Sequence, residues 1–206
     1  MRHNWGPDGP PPDAYTRVTA AERFQPLHGI ALNLLQRLED QFDVERDEGH
    51  RLDTALGEGD AARPSIRLTP ADASAAPILV SFTAFPGLRV GCGRWLVNSF
   101  PTCGCDACAE DLEGERERFL ELIENVVAGR FRESITIPWL GAAREEWELW
   151  SSSSRRGGGW QIKRAHAREL VGGGPRSFEW SPWRLRRFPT RQTDPGRKPG
   201  VKDNPA

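Results

Sequence analysis

The chain lacks net charge. Its 28 lysines and arginines against 29 aspartates and glutamates leave a formal −1, so no overall field draws the molecule to nucleic acid or to an anionic membrane. It also lacks long apolar runs. No stretch approaches the ~20 apolar residues of a membrane-spanning helix, and the first 25 residues hold no hydrophobic segment of the signal-peptide kind. A cytoplasmic protein with no membrane partner is expected, and its thiols would stay reduced. Lysine occurs only at Lys163, Lys198 and Lys202. With abundant Gly, Ala and Pro this suggests GC-rich bacterial coding, and it carries little functional weight.

Several chemical motifs are missing too. There is no G-x-x-x-x-G-K-[ST] phosphate loop, no G-x-S-x-G elbow and no H-E-x-x-H or H-x-E pair. Gly91-Cys92-Gly93 is an isolated G-x-G inside a strand pattern. Neither Cys103 nor Cys105 follows proline in the P-C-x-x-C arrangement of zinc deaminases. There is no internal repeat.

What remains fits one globular domain. Hydrophobic residues make up 37% of the 206, enough for a single core. Residues 1–14, rich in Gly and Pro, read as a flexible N-terminal arm, residues 15–188 as the domain and residues 189–206 as a disordered basic tail. Thr19-Ala20-Ala21-Glu22 has capping-box spacing and marks a helix start. After Pro26, apolar residues at Leu27, Ile30, Ala31, Leu34, Leu35, Leu38 and Phe42 form one helical stripe. Residues 46–63 read as a charged loop.

The period then changes to two. Ile66 and Leu68, then Ile78, Val80 and Phe82, then Leu88, Val90 and Cys92 each alternate with residues facing away, and Pro86-Gly87 suits a turn between the last two runs. This predicts an antiparallel meander. A second helix follows, with Leu112, Phe119, Leu120, Ile123, Val126 and Val127 on its apolar face. Glu113–Arg116 and Glu115–Arg118 are i,i+3 pairs on it. Strands are predicted over residues 133–137 and 145–150, a flexible Ser/Arg/Gly loop over 151–159 and a short helix over 162–171. The order α-β-β-β-α-β-β-α predicts an α+β, two-layer fold: an antiparallel sheet of about five strands, two main helices on one face and a short third helix.

The chemistry concentrates at Cys103-Gly104-Cys105-Asp106-Ala107-Cys108, which holds three of the four cysteines. Thiols so crowded are hard to place in one apolar core, and they suggest a metal knuckle or a reactive thiol site. A structural Zn²⁺ would take Cys103, Cys105 and Cys108 from this loop, with Cys92 as fourth ligand if its strand ends alongside. His28, His50 and His166 are alternatives, and Cys92, alternating with Val90 and Leu88, also reads as core. A redox reading pairs Cys105 with Cys108 at a helix N-terminus, whose partial positive charge would favour thiolate. Asp106, Glu110 and Asp111 would oppose it.

Charge is uneven along the chain: −7 over residues 104–150 and +5 over residues 176–203. In the basic end, Trp180, Trp183 and Phe188 interleave with Arg184, Arg186 and Arg187. That pattern suits stacking on single-stranded nucleic acid. The competing reading packs the tryptophans on the domain and pairs the arginines with the acidic segment.

The segments Tyr15-Thr16-Arg17-Val18-Thr19, Glu22-Arg23-Phe24, Phe82-Thr83-Ala84-Phe85-Pro86-Gly87-Leu88-Arg89, Phe100-Pro101-Thr102-Cys103-Gly104-Cys105-Asp106-Ala107-Cys108 and Glu146-Trp147-Glu148-Leu149-Trp150 resemble an uncharacterised family of actinobacterial proteins, a domain of unknown function. The resemblance runs to about Trp183 and implies no activity. The expected role is therefore a non-enzymatic binding or interaction module with a protein partner and a cysteine loop that holds Zn. A thiol-dependent redox enzyme and a nucleic-acid binder are the alternatives.

Overall fold

The computed structural model describes residues 5–7, 9–56, 61–151 and 155–187. Phe188 and the expected tail over 189–206 lie outside the described residues, as do the first four residues of the expected arm. Two 3₁₀ turns, Pro12–Tyr15 and Ala21–Phe24, lead into helix α1, Pro26–Gln41. Strand β1, Val44–Gly49, a 3₁₀ turn, His50–Leu56, and strands β2, Ala61–Pro70, β3, Ile78–Thr83, β4, Gly87–Cys92, and β5, Leu96–Phe100, come next. Helix α2, Leu112–Val127, precedes β6, Phe131–Thr136, β7, Ala143–Trp150, β8, Arg155–Ile162, helix α3, Arg164–Val171, and β9, Ser177–Glu179.

The fold is α+β, with two sheets. β1 to β5 form an antiparallel meander in chain order, and a four-stranded sheet has the order β8-β7-β6-β9. The strands after α2, expected to extend the first sheet, instead build the second.

Register decides which residues share a face. Leu68, Ile78, Cys92 and Leu96 align across the first sheet, as do Phe82, Leu88 and Phe100. This face joins Leu27, Ala31 and Leu35 of α1 and Phe119, Ile123 and Val126 of α2 in one core. Phe131 and Leu149 of the second sheet and Trp180 and Trp183 of the C-terminal segment close the same core. A smaller core gathers Trp95, Ile135, Ala143, Ala167 and Val171 under α3. On α2 both expected ion pairs form, Glu113–Arg116 at 2.7 Å and Glu115–Arg118 at 2.6 Å.

The other face of the first sheet is covered by the 3₁₀ turn His50–Leu56. Asp53 Oδ1 accepts from the Ser65 N–H at 3.0 Å and from its hydroxyl at 2.7 Å, and Leu56 lies where a Cβ on Gly91 would stand. The expected loop over 46–63 therefore contains parts of two strands, the end of β1 and the start of β2, and a packed turn. β1 escapes pattern reading because it is an edge strand, Val-Glu-Arg-Asp-Glu-Gly, whose charges keep the edge from pairing with another chain. β8 escapes for a similar reason: Gly157, Gly158 and Gly159 occupy a strand that pairs along its whole length with β7. Residues 152–154 of that expected loop lie outside the described residues.

Thr19 does not cap α1. Helix α1 begins at Pro26 without a side-chain N-cap, and the Thr19 hydroxyl points instead to Asp106. The expected boundary between arm and domain at residue 14 falls inside the turn Pro12–Tyr15, where Ala14 is fully buried. No helix among the described residues is long and apolar enough to cross a membrane.

One side chain joins the two sheets. Glu133 of β6 is 1% exposed. Its Oε1 accepts from Arg94 N at 2.6 Å and Trp180 Nε1 at 3.1 Å, and its Oε2 from Trp95 N at 2.9 Å and Leu96 N at 3.2 Å. The three backbone donors belong to the β4–β5 turn, and the indole belongs to the C-terminal segment. The turn enters at Gly93, φ +66°, where a Cβ would collide with Glu133 Oε1. Replacing Glu133 with Ala strands four donors, each costing about 1–3 kcal/mol when buried and unpaired. Urea unfolding should show Glu133→Ala destabilised by at least ~3 kcal/mol, with Glu133→Gln between it and the parent. A change for Glu133→Ala within ~0.5 kcal/mol, the usual range for a surface substitution, contradicts this role.

Candidate metal centre

The cysteine loop spans residues 101–111, between β5 and α2, and its backbone is shaped by two carboxylates. Glu110 reaches back along the loop. Its Oε1 accepts from Thr102 N at 3.0 Å, and its Oε2 from Cys103 N at 3.1 Å and Gly104 N at 2.6 Å. Gly104 has φ +78°, and a Cβ there would press into Phe85 and Pro101. Three consecutive N–H groups converge on one carboxylate, which folds this stretch around it.

Asp106 makes the second clasp. It is 5% exposed and accepts from Thr19 N at 2.7 Å, Thr19 Oγ1 at 2.8 Å and Arg17 Nε at 2.7 Å. The backbone adds Asp106 N to Arg17 O at 2.9 Å and Ala107 N to Ala14 O at 3.1 Å. The segment from Ala14 to Thr19 is therefore a strap across the loop. Arg23 donates from Nη2 to Gly104 O at 3.2 Å while its guanidinium lies 4.4 Å over the Phe24 ring.

Held this way, the loop brings the three thiols together. The sulfurs of Cys103, Cys105 and Cys108 all lie within 4.8 Å of one another. Cys105 is 3% exposed and the other two are open to solvent. The Cys103 thiol donates toward Cys105, as do the backbone N–H of Cys108, the Cys108 thiol and the N–H of Ala107, and these hold the Cys105 thiol below its ordinary pKa against the effect of burial. Cys108 is pushed up to about 12, first by its hydrogen bond with Cys105, then by burial and by Cys103. Cys105 and Cys108 titrate together, the first proton loosened and the second held.

The source of this thiolate stabilisation differs from the expected one. Helix α2 starts only at Leu112, and Asp111 caps it by accepting from Gly114 N at 2.8 Å. The Cys103 thiol contributes most and the Cys108 N–H next, with the Cys108 thiol and the Ala107 N–H behind them. Nor do Asp106 and Glu110 point their charge at the thiols; both are consumed by the clasps. Arg17 and Thr19, which fix the loop from 87–89 residues away, carry no local signature that spacing could find.

The remaining sequence candidates lie elsewhere. Cys92 sits in the sheet core between Ile78 and Leu96, and burial, then the charge of Glu133, pushes its thiol up. It does not join the three-sulfur group. His28 Nε2 lies 2.9 Å from Gly87 O, with its ring edge-on to Phe82. His50 Nδ1 is 2.8 Å from Asp53 Oδ2, and His166 lies on α3 beside Glu169. Trp180 and Trp183 are 7% and 4% exposed. Their indoles donate to Glu133 Oε1 and to Ala76 O at 2.9 Å, so neither ring offers a face for a base to stack on. Arg184 pairs with Asp72 at 2.8 Å, outside the acidic segment.

The Asp106 clasp has a pH signature. Arg17 and Thr19 hold the Asp106 carboxyl down at about 2, against an ordinary 3.8. Its folded value lies below its unfolded one, so the stability it contributes is complete above pH 4 and fades as pH falls toward 2. The difference in urea midpoint between the parent and Asp106→Asn should be constant from pH 7 to about 5 and shrink below pH 4. A difference that persists undiminished to pH 2 contradicts the clasp.

No curated protein and no solved structure matches the chain. A family model does, over residues 2–187, which takes in both sheets, the strap and the cysteine loop. The chain therefore belongs to DUF6226, a family of unknown function.

Proposed function

We propose that this chain is a non-enzymatic binding module of the cytoplasm whose cysteine loop is organised by one Zn²⁺ held on Cys103, Cys105 and Cys108. The observation that carries the reading is the convergence of the three sulfurs within 4.8 Å. A tetrahedral zinc with Zn–S near 2.3 Å sets its sulfurs about 3.8 Å apart, so small rotations of the thiols suffice. A thiolate set of this kind suits Zn²⁺ or Cu⁺ and is poorly matched to Mg²⁺ or Ca²⁺. Binding would release the thiol protons, and the low-lying Cys105 gives the first one up with least resistance.

A protein partner fits the exposed tip between β6 and β7. Trp139 is 93% and Leu140 82% exposed, a pair of apolar side chains of the type that anchors interfaces. A second reading, a thiol-dependent redox enzyme using Cys105 and Cys108, draws support from the lowered Cys105 thiol alone.

Elemental analysis of protein purified without chelator separates the two. The module predicts about one zinc per chain, lost in Cys103→Ala or Cys108→Ala and kept in Cys92→Ala. A metal-free chain with a thiol that iodoacetamide alkylates rapidly at neutral pH contradicts the zinc reading and favours the enzyme.

A further inference from the structure

The loop gathers three sulfurs, and the described residues add no fourth donor beside them. Asp106 and Glu110 accept from Arg17, Thr19 and loop N–H groups, and Asp111 caps α2. Cys92 lies in the sheet core, and the described histidines lie at Gly87 O, beside Asp53 and on α3. A closed tetrahedral zinc site takes four ligands, so Zn²⁺ on this loop keeps one position for solvent. For another soft ion three is a full set. Cu⁺, with a filled d shell, is satisfied by three thiolates in a plane and gains little from a hard donor such as water.

The charge of the loop favours the same ion. Three thiolates leave one net negative charge around Zn²⁺ and two around Cu⁺. Donors for that charge are built in, because the N–H groups of Cys108 and Ala107 point to the Cys105 sulfur. Arg23 also donates to Gly104 O at 3.2 Å and Glu110 O at 3.4 Å. Its described partners are carbonyl oxygens and the Phe24 ring, so its positive charge stands at the loop and is not consumed by a described carboxylate. Cys103 and Cys108 are exposed on either side of the buried Cys105, which lets an incoming ion engage one thiol while the others still hold zinc.

We infer that the loop is matched to Cu⁺, held in trigonal coordination by Cys103, Cys105 and Cys108, and that Cu⁺ displaces Zn²⁺ from it. This rests on the reading above that one soft ion sits on these sulfurs. The step is metal exchange without electron transfer. Three copper–sulfur bonds form, three zinc–sulfur bonds break, and Zn²⁺ leaves with its water. Copper enters as Cu⁺ and remains Cu⁺. The module would thereby respond to cuprous ion in a reducing compartment.

The test adds one equivalent of Cu⁺, delivered in acetonitrile under nitrogen, to the full chain loaded with zinc, while a zinc-binding dye follows release. One Cu⁺ per chain should release one zinc. X-ray absorption at the copper edge should show three sulfurs and no oxygen or nitrogen. Cys103→Ala, at an exposed position, should leave two sulfurs on copper. Bicinchoninate should then strip the ion at least ~10-fold more readily, the lower end of what losing even an outer-shell partner of a metal costs. Cys92→Ala should change neither result. Zinc that stays in place overturns this inference and leaves the zinc reading standing, as does Cu⁺ taken up with no zinc released. A copper shell in the parent with a fourth donor, or with only two sulfurs, overturns it as well. A chain that binds no zinc yet holds Cu⁺ on three sulfurs removes the zinc reading and keeps this one. A chain that takes up neither ion removes both.

Discussion

Sharp loops leave backbone N–H groups that no helix or strand can pair, and burying them unpaired is costly. This protein answers the problem repeatedly with carboxylates. Asp53 takes the N–H of Ser65, Asp72 that of Ser74 and Asp111 that of Gly114. Glu133 takes three from the β4–β5 turn, and Glu110 three from the cysteine loop. Asp106 does the same for Thr19, and in doing so fastens the N-terminal strap to the loop. Four of the twelve acids over residues 104–150, Asp106, Glu110, Asp111 and Glu133, are thus consumed as acceptors of backbone N–H groups.

That constraint explains the site. A six-residue stretch carrying three thiols has no intrinsic reason to point them at one another. Here its first half is wound around Glu110, its middle is tied to Arg17 and Thr19 through Asp106, and the sulfurs converge as a result. The clasps gather the thiols, and the Cys105 proton is already loosened among them. Two exposed thiols flank a buried one.

Much of the fold was legible because it depends on local periodicity. The apolar stripes of Leu27 to Leu38 and of Phe119 to Val126, and the alternation through Ile66, Val80 and Val90, each report one element and the face it buries. The elements that pattern missed have no such periodicity: β1 is charged, β5 and β9 are short, β8 is glycine-rich, and all four are edge strands. The second sheet was hidden because β6 and β7 read as strands without revealing which neighbours they pair with. At the site, the cysteine spacing singled out the three residues whose sulfurs lie together, whereas Cys92 and the clasp did not declare themselves. Alternation with Val90 could not separate a ligand from a core thiol until the register set Cys92 between Ile78 and Leu96. Thr19 imitated a capping box, and its true partner lies 87 residues away.

The convergence of the thiols at 103, 105 and 108 on one ion is tested most directly by X-ray absorption at the zinc edge of the purified full chain. The account predicts a first shell containing three sulfur atoms at about 2.3 Å. A shell of oxygen and nitrogen alone, or no zinc to measure, contradicts it.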